Sequence, residues 1–89
     1  MSRKAQITHK PEPRYTEEAR KNEVTGTVRL RLVVTADGKV SNIVPVSRLP
    51  DGLSEMAIRA ARHIKFIPAV KDGRKVSQYV VIEYNFHIY

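Results

Sequence analysis

The sequence predicts an α+β domain: a three-stranded antiparallel sheet with two helices on one face, in the order α-β-β-α-β. Three observations carry that expectation. Apolar and polar residues alternate from Thr27 and again along Val76 to Tyr89, the period-two signature of half-buried strands. Between these stretches Leu53, Met56, Ala57, Ala60, Ala61 and Ile64 fall at i, i+3, i+4, i+7, i+8 and i+11, one continuous helical stripe. The length, 89 residues, suits one domain and not two.

Residues 1–13 are polar, basic and broken by Pro11 and Pro13. Prolines bias their predecessors toward extended geometry, so this stretch reads as an N-terminal arm ahead of a folded domain over residues 14–89. Thr16 before Glu17 and Glu18 suits a helix N-terminus, the helix continues through Glu23, and Gly26 stops it. Val28, Leu30, Leu32 and Val34 then form the inner parity of a strand whose outer face carries Arg29 and Arg31. Asp37-Gly38 supplies a hairpin turn with φ > 0. Val40 to Ser47 returns, but its alternation slips and Pro45 cannot donate to a ladder, which predicts a bulge or strand end there.

Pro50-Asp51-Gly52 is a loop leading into the Leu53–Ile64 helix, which Pro68 prevents from continuing past about Phe66. Its alanines allow close approach to the sheet. Leu30 and Leu32 should face this stripe, with Ile82 and Phe86 in the same layer. Asp72-Gly73 makes a second turn. Val76 to Tyr89 then reads as one strand, Val80, Ile82, Tyr84, Phe86 and Ile88 sharing the inner parity. Fourteen residues at ~3.3 Å each would reach about 45 Å, longer than a compact domain of this size. Either the strand bends or is shorter than its alternation, with fraying ends, or its free edge is a docking rail, since no proline or lysine blocks it and Glu83 is its only charge.

Chemistry is scarce. With no cysteine, disulfides, thiolate nucleophiles and Cys-ligated zinc are excluded. His9, His63 and His87 lack metal-ligand or triad spacing, and the aspartates at 37, 51 and 72 adjoin turn glycines, where Asp belongs for backbone reasons. No phosphate-cradling or nucleophile-elbow motif is present. The reading is a domain that is not an enzyme and takes no cofactor or metal. No apolar run spans a bilayer and Met1 to Lys10 holds no signal-peptide core, so the protein is cytosolic or its targeting segment lies outside this sequence. The net charge of +7 is spread as +2 over residues 1–23, +2 over 24–52 and +3 over 53–89, without a like-charge block. Exposed aromatics do not alternate with the cations, so nucleic acid is not the expected partner. Arg29, Arg31, Arg59, Arg62 and Lys65 read as solvated faces.

Several residues in fixed order resemble the C-terminal domain of TonB energy transducers. They are Tyr15 before the short helix, Gly26 leading into V-x-L-x-L-x-V, Asp37-Gly38-Lys39-Val40, the alanine-rich helix, Phe66-Ile67-Pro68-Ala69, Gly73, Val76 and a last strand ending in aromatics. The F-x-P-A followed by G-x-x-V is the most specific piece. Thr16 stands where the family usually has proline, Ile64 where tryptophan is frequent, and Glu12-Pro13-Arg14 where well-known members are glutamine-rich. The resemblance implies a periplasmic domain that binds the TonB box of outer-membrane TonB-dependent transporters by β-strand addition, driving uptake of solutes such as siderophores. It also implies coupling to the inner-membrane ExbB-ExbD complex through an N-terminal part, with membrane anchor, that this sequence lacks. On the last strand the expected contacts are Gln78, Tyr79, Val80, Val81, Ile82, Glu83, Tyr84, Asn85, Phe86 and His87, with Pro13, Arg14 and Tyr15 as a secondary contact. The parity that points its amides outward is not legible. An open edge also permits a homodimer. The alternatives are a TonB-like domain joined to a sensor or peptidase, and a small basic nucleic-acid-binding domain.

Overall fold

The computed structural model describes residues 1–88. Its elements are β1 (Gln6–His9), α1 (Glu17–Lys21), β2 (Gly26–Val34), β3 (Val40–Ser47), α2 (Leu53–Ala61), β4 (Lys65–Ile67), β5 (Ala69–Lys71), β6 (Arg74–Val76) and β7 (Gln78–Phe86). The main sheet is three-stranded and antiparallel, in the order β3-β2-β7. Two two-stranded ribbons, β1-β4 and β5-β6, accompany it. The molecule is elongated, with extents of 50 × 20 × 16 Å and a radius of gyration of 14.6 Å, against ~12 Å for a compact chain of this length.

The period-two residues of β2 fix the sheet's inner face: Val28, Leu30, Leu32 and Val34 are fully buried, and β7 contributes Ile82, Tyr84 and Phe86. Ala19 of α1 and Leu53, Ala57, Ala60 and Ala61 of α2 join the same core, so both helices lie on one face. Each buried leucine or valine stabilises by roughly 1.5–3 kcal/mol. Thr16 caps α1, its Oγ1 accepting from Ala19 N–H at 3.0 Å while donating to Asp51 O at 2.6 Å. Ser54, the one buried polar residue among those described, closes a pair of bonds with Leu49 N–H (2.9 Å) and Leu49 O (3.0 Å). The Asp72-Gly73 turn has φ of 52° and 79° at its two residues, the left-handed pair of a tight hairpin.

Pro45 does mark an irregularity. The β2–β3 register shifts between Arg29 and Leu30 and again between Arg31 and Val33, and Asn42 takes φ 51° beside the second shift.

Five expectations need correction. The last strand does not run from Val76 to Tyr89. Val76 closes β6, Ser77 separates the strands while its Oγ accepts from Ala36 N–H at 3.2 Å, and β7 ends at Phe86. Its nine residues span about 30 Å and stay within the domain. Tyr89, included in the expected strand, lies outside the described residues. Helix α1 ends at Lys21, with Asn22 as its C-cap and Glu23 at φ 54°. Gly26 therefore opens β2 and does not stop the helix; its φ of 144° and the approach of Leu49 Cδ2 to 2.9 Å of a built Cβ leave little room for a side chain. The Asp37-Gly38 turn does have its expected positive φ, at Gly38 (88°), with Thr35 N–H closing the loop on Lys39 O at 2.8 Å, but helix α2 ends at Ala61, with Arg62 as its C-cap, short of the expected Ile64. Finally, the arm is more than extended chain: β1 pairs with β4 through Gln6↔Ile67 and Ile7↔Phe66, and Arg3 bridges to Val70.

Candidate functional site

The two edges of the main sheet differ. On β3 the ladder is interrupted by its two register shifts and by Pro45. On β7 the pairing with β2 is unbroken over nine residue pairs, from Gly26↔Phe86 to Val34↔Gln78, and among the described residues no strand pairs with its other side.

The direction of the free main-chain groups follows from β2. Arg29 turns its N–H toward β3, donating to Ser47 Oγ at 3.0 Å, and Thr35 donates the same way to Lys39 O. Main-chain groups alternate sides along a strand, so odd-numbered residues of β2 face β3 and even-numbered ones face β7. Given Leu30↔Ile82 and Leu32↔Val80, the even residues of β7 close the ladder with β2. Tyr79, Val81, Glu83 and Asn85 therefore aim their N–H and C=O at the open side. One outward carbonyl is already engaged: Lys10 Nζ donates to Glu83 O at 2.8 Å and lies 4.9 Å from the Tyr84 ring centre.

The side chains of these four residues form the outer face beside the edge. Tyr79 and Val81 are 70% and 57% exposed, and Arg31 stacks its guanidinium 5.9 Å from the Tyr79 ring. Arg29 and Glu83, directly opposite each other, pair at 2.7 Å, and Thr27 Oγ1 donates to Asn85 Oδ1 at 2.7 Å. These cross-strand contacts hold the edge straight, each contributing roughly 0.2–1 kcal/mol.

On the inner face Tyr84 is buried, and its hydroxyl has no hydrogen-bond partner among the described residues. Burial, with the Glu12 carboxylate second, pushes the phenol up to about 12. Tyr15 closes the far end. Its hydroxyl donates to Val24 O and its ring meets Phe86 edge-on at 5.5 Å and 90°.

The expected site residues are thus distributed. Gln78 to Phe86 form β7, the outward groups belonging to Tyr79, Val81, Glu83 and Asn85. Val80, Ile82, Tyr84 and Phe86 spend their main chain on β2 and their side chains on the inner face. His87 lies just past the strand and lines a cleft with Tyr15, Arg20 and Ile88. Pro13 and Arg14 are not brought to the edge; they line a groove against α2 with Met56, Arg59 and His63. Tyr15 is a packing residue. Lys10 and Gln78 Oε1, which accepts from Ala5 N–H at 2.7 Å, show what sequence reasoning missed: the arm runs alongside β7. The only signal was the arm's extended character.

No group of three or more His, Cys, Asp or Glu among the described residues is placed to hold a metal ion, and no helix there is long and apolar enough to cross a membrane.

A family model described as the Gram-negative bacterial TonB protein C-terminal matches residues 11–88. The solution NMR structure of the Pseudomonas aeruginosa TonB CTD is similar in fold, with a TM-score of 0.74 at 21% identity over 94% of this chain and 86% of that one. The solution structure of the Helicobacter pylori TonB-CTD gives a TM-score of 0.53 at 26% identity, covering 85% of this chain and 71% of that one. No curated protein sequence is significantly similar to this chain.

Proposed function

The chain belongs to the family of Gram-negative TonB C-terminal domains, a family of protein-interaction domains and not of enzymes, and from that premise we propose that it is the periplasmic receptor-binding domain of a TonB-type energy transducer. In this reading the TonB box of an outer-membrane transporter docks as a fourth strand on the free edge of β7. The energy comes from the inner-membrane proton gradient through ExbB-ExbD, reached by parts of the protein that precede this domain. The supporting observation is the open edge of β7, with four successive outward residues and no proline or bulge, the Glu83 carbonyl alone among them being engaged by Lys10 among the described residues. Strand addition draws affinity from such main-chain donors and acceptors and selectivity from the side chains between them.

Titration with a TonB-box peptide, followed by amide NMR, tests the proposal. Shifts concentrated on Tyr79, Val81, Glu83 and Asn85 are expected. Val81→Pro removes an outward donor and leaves the β2 ladder intact, so it should remain folded and lose binding; each missing bond is worth roughly 0.5–1.5 kcal/mol and the register is disturbed as well. Ile82→Pro should instead damage the fold, because Ile82 spends its N–H on β2. Shifts confined to Arg59, Arg62 and Lys65 that fade with salt would refute strand addition.

A further inference from the structure

The arm adds a third antiparallel segment to the β5-β6 hairpin. Arg3 N–H donates to Val70 O at 2.8 Å and Val70 N–H to Arg3 O at 2.9 Å, while across the hairpin Val70 lies opposite Lys75 and Lys71 opposite Arg74. Gly73 N–H reaches Met1 O at 3.0 Å and Asp72 N–H reaches Ser2 Oγ at 3.2 Å. Opposite ends of the sequence thereby bring together five exposed cations: Arg3, Lys4, Lys71, Arg74 and Lys75. Asp72 is the only carboxylate in the same segments, so this tip holds +4 of the chain's +7. Among the described residues none of the five is in an ion pair. Paired residues of a ladder share a face, so Lys71 and Arg74 set like charges directly opposite each other, an arrangement that repels.

Apolar surface lies among these charges. Lys4 and Lys71 line an open cavity of about 460 Å³ together with Ala69, Val70 and Val76, and the Met1 side chain, held beside the turn, is 95% exposed. A Cβ built on Gly73 meets nothing within 4 Å, so the turn stands in open space. We propose that this tip docks on an anionic phospholipid surface, its cations on lipid phosphates and Met1 in the headgroup layer. A basic side chain held near an anionic leaflet strengthens attachment about fivefold. An exposed apolar side chain supplies a second signal of a different kind, and two signals together make an interfacial attachment stable. Phosphates received between Lys71 and Arg74 would also relieve their repulsion. The tip has no aromatic ring, so it lacks the stacking platform of a single-strand nucleic-acid binder. The inference goes beyond strand addition and stands without it, since Tyr79, Val81, Glu83 and Asn85 take no part.

Cosedimentation with vesicles tests the proposal. Phosphatidylcholine vesicles with about one-third phosphatidylglycerol should retain the chain at low salt, pure phosphatidylcholine should not, and retention should fade as ionic strength passes ~0.5 M. Lys4→Ser/Lys71→Ser/Arg74→Ser should weaken binding roughly a hundredfold, about fivefold for each cation. Arg59→Ser/Arg62→Ser/Lys65→Ser removes the same charge from another exposed surface and should cost a few-fold at most. Unchanged amide shifts along β2 and β7 show that each variant is folded. A nitroxide-labelled lipid should broaden the amides of Arg3, Lys71 and Gly73 before those of Tyr79 to Asn85. Equal losses in the two variants would mean diffuse attraction of a basic chain and would overturn the proposal, as would equal retention by the two kinds of vesicle. Displacement by a short polyglutamate peptide far below the lipid concentration would assign the tip to an acidic chain and overturn it as well.

Discussion

Tyr84→Phe should stabilise this domain although it deletes a polar group from the core. Tyr84 is 1% exposed and its hydroxyl has no partner among the described residues. A buried hydroxyl left unsatisfied costs roughly 1–3 kcal/mol, and an apolar replacement of the same shape removes that cost. The ring stays, and so does the Lys10 ammonium 4.9 Å from its centre. A gain of about 1 kcal/mol shifts Tm by roughly 4–8 °C in a domain this small, well within the resolution of a circular-dichroism melt at pH 7. The alkaline limb gives a second readout. Burial, then Glu12, raises the Tyr84 phenol to about 12 from its ordinary 10. The unfolded chain releases that proton from pH 10 upward and the folded one does not, so Tyr84's contribution is intact below pH 10 and drains away between 10 and about 12. The phenylalanine variant lacks this term, and its advantage over the parent should widen across that interval. A Tm lowered by several degrees at pH 7, or parallel alkaline limbs, would refute the argument by showing that the hydroxyl is satisfied.

Leu32→Ala should cost ~2–5 kcal/mol, a large share of a total stability on the order of 4–13 kcal/mol for this length, whereas Arg31→Ala should barely move the denaturant midpoint; equal effects would mean the faces of β2 are reversed. Lys10→Ala releases Glu83 O for an incoming N–H, so a docking peptide should bind a few-fold tighter by calorimetry, at most the worth of one exposed charged contact; weaker binding would make Lys10 part of the site. A single edge-to-edge strand pairing makes a narrow contact, and stable interfaces bury upward of about 1,000 Å², so sedimentation should show monomers at tens of micromolar; a submicromolar dimer would contradict the single-edge picture.

Much of the fold was legible because burial imposes a period. Val28, Leu30, Leu32 and Val34 alternate because one face of β2 is buried, and Leu53 to Ala61 repeats at helical spacing because one face of α2 is; Ile64 continues the spacing and is buried, but lies past the helix's end. The same logic misled at Ser77. Val76 and Val80 share a parity, so the alternation runs straight through a break that is made by Ser77 leaving the ladder to accept from Ala36. The ribbon β1-β4 was illegible for the opposite reason: all four residues of β1 are exposed and β4 has only three, so neither carries a burial pattern. The Arg3–Val70 bridge brings Arg3-Lys4 beside the Lys71 to Lys75 turn, a grouping of cations that counting charge by segment keeps apart. The outward parity of β7 was fixed by a contact on the far side of the sheet, Arg29 N–H to Ser47 Oγ, which no local pattern encodes.

A three-stranded sheet exposes two edges, and both are hazards unless something blunts them. On β3 the blunting is built into the backbone: Pro45 lacks a donor, and two shifts in register with Asn42 left-handed deny a straight ladder to any incoming strand. On β7 nothing comparable is present. Its protection consists of the central Glu83, held by Arg29 at 2.7 Å with both side chains about half exposed, and of the Lys10 ammonium on one outward carbonyl. Exposed charge contacts of this kind are worth about 0–1 kcal/mol each. A docking strand gains main-chain bonds at four residues, each bond worth roughly 0.5–1.5 kcal/mol. The guard is therefore strong enough to disfavour casual pairing and weak enough for a well-matched strand to displace. Backbone blunting on one edge beside displaceable charge on the other is the asymmetry that the proposed strand addition requires, one edge closed and the other open to a partner.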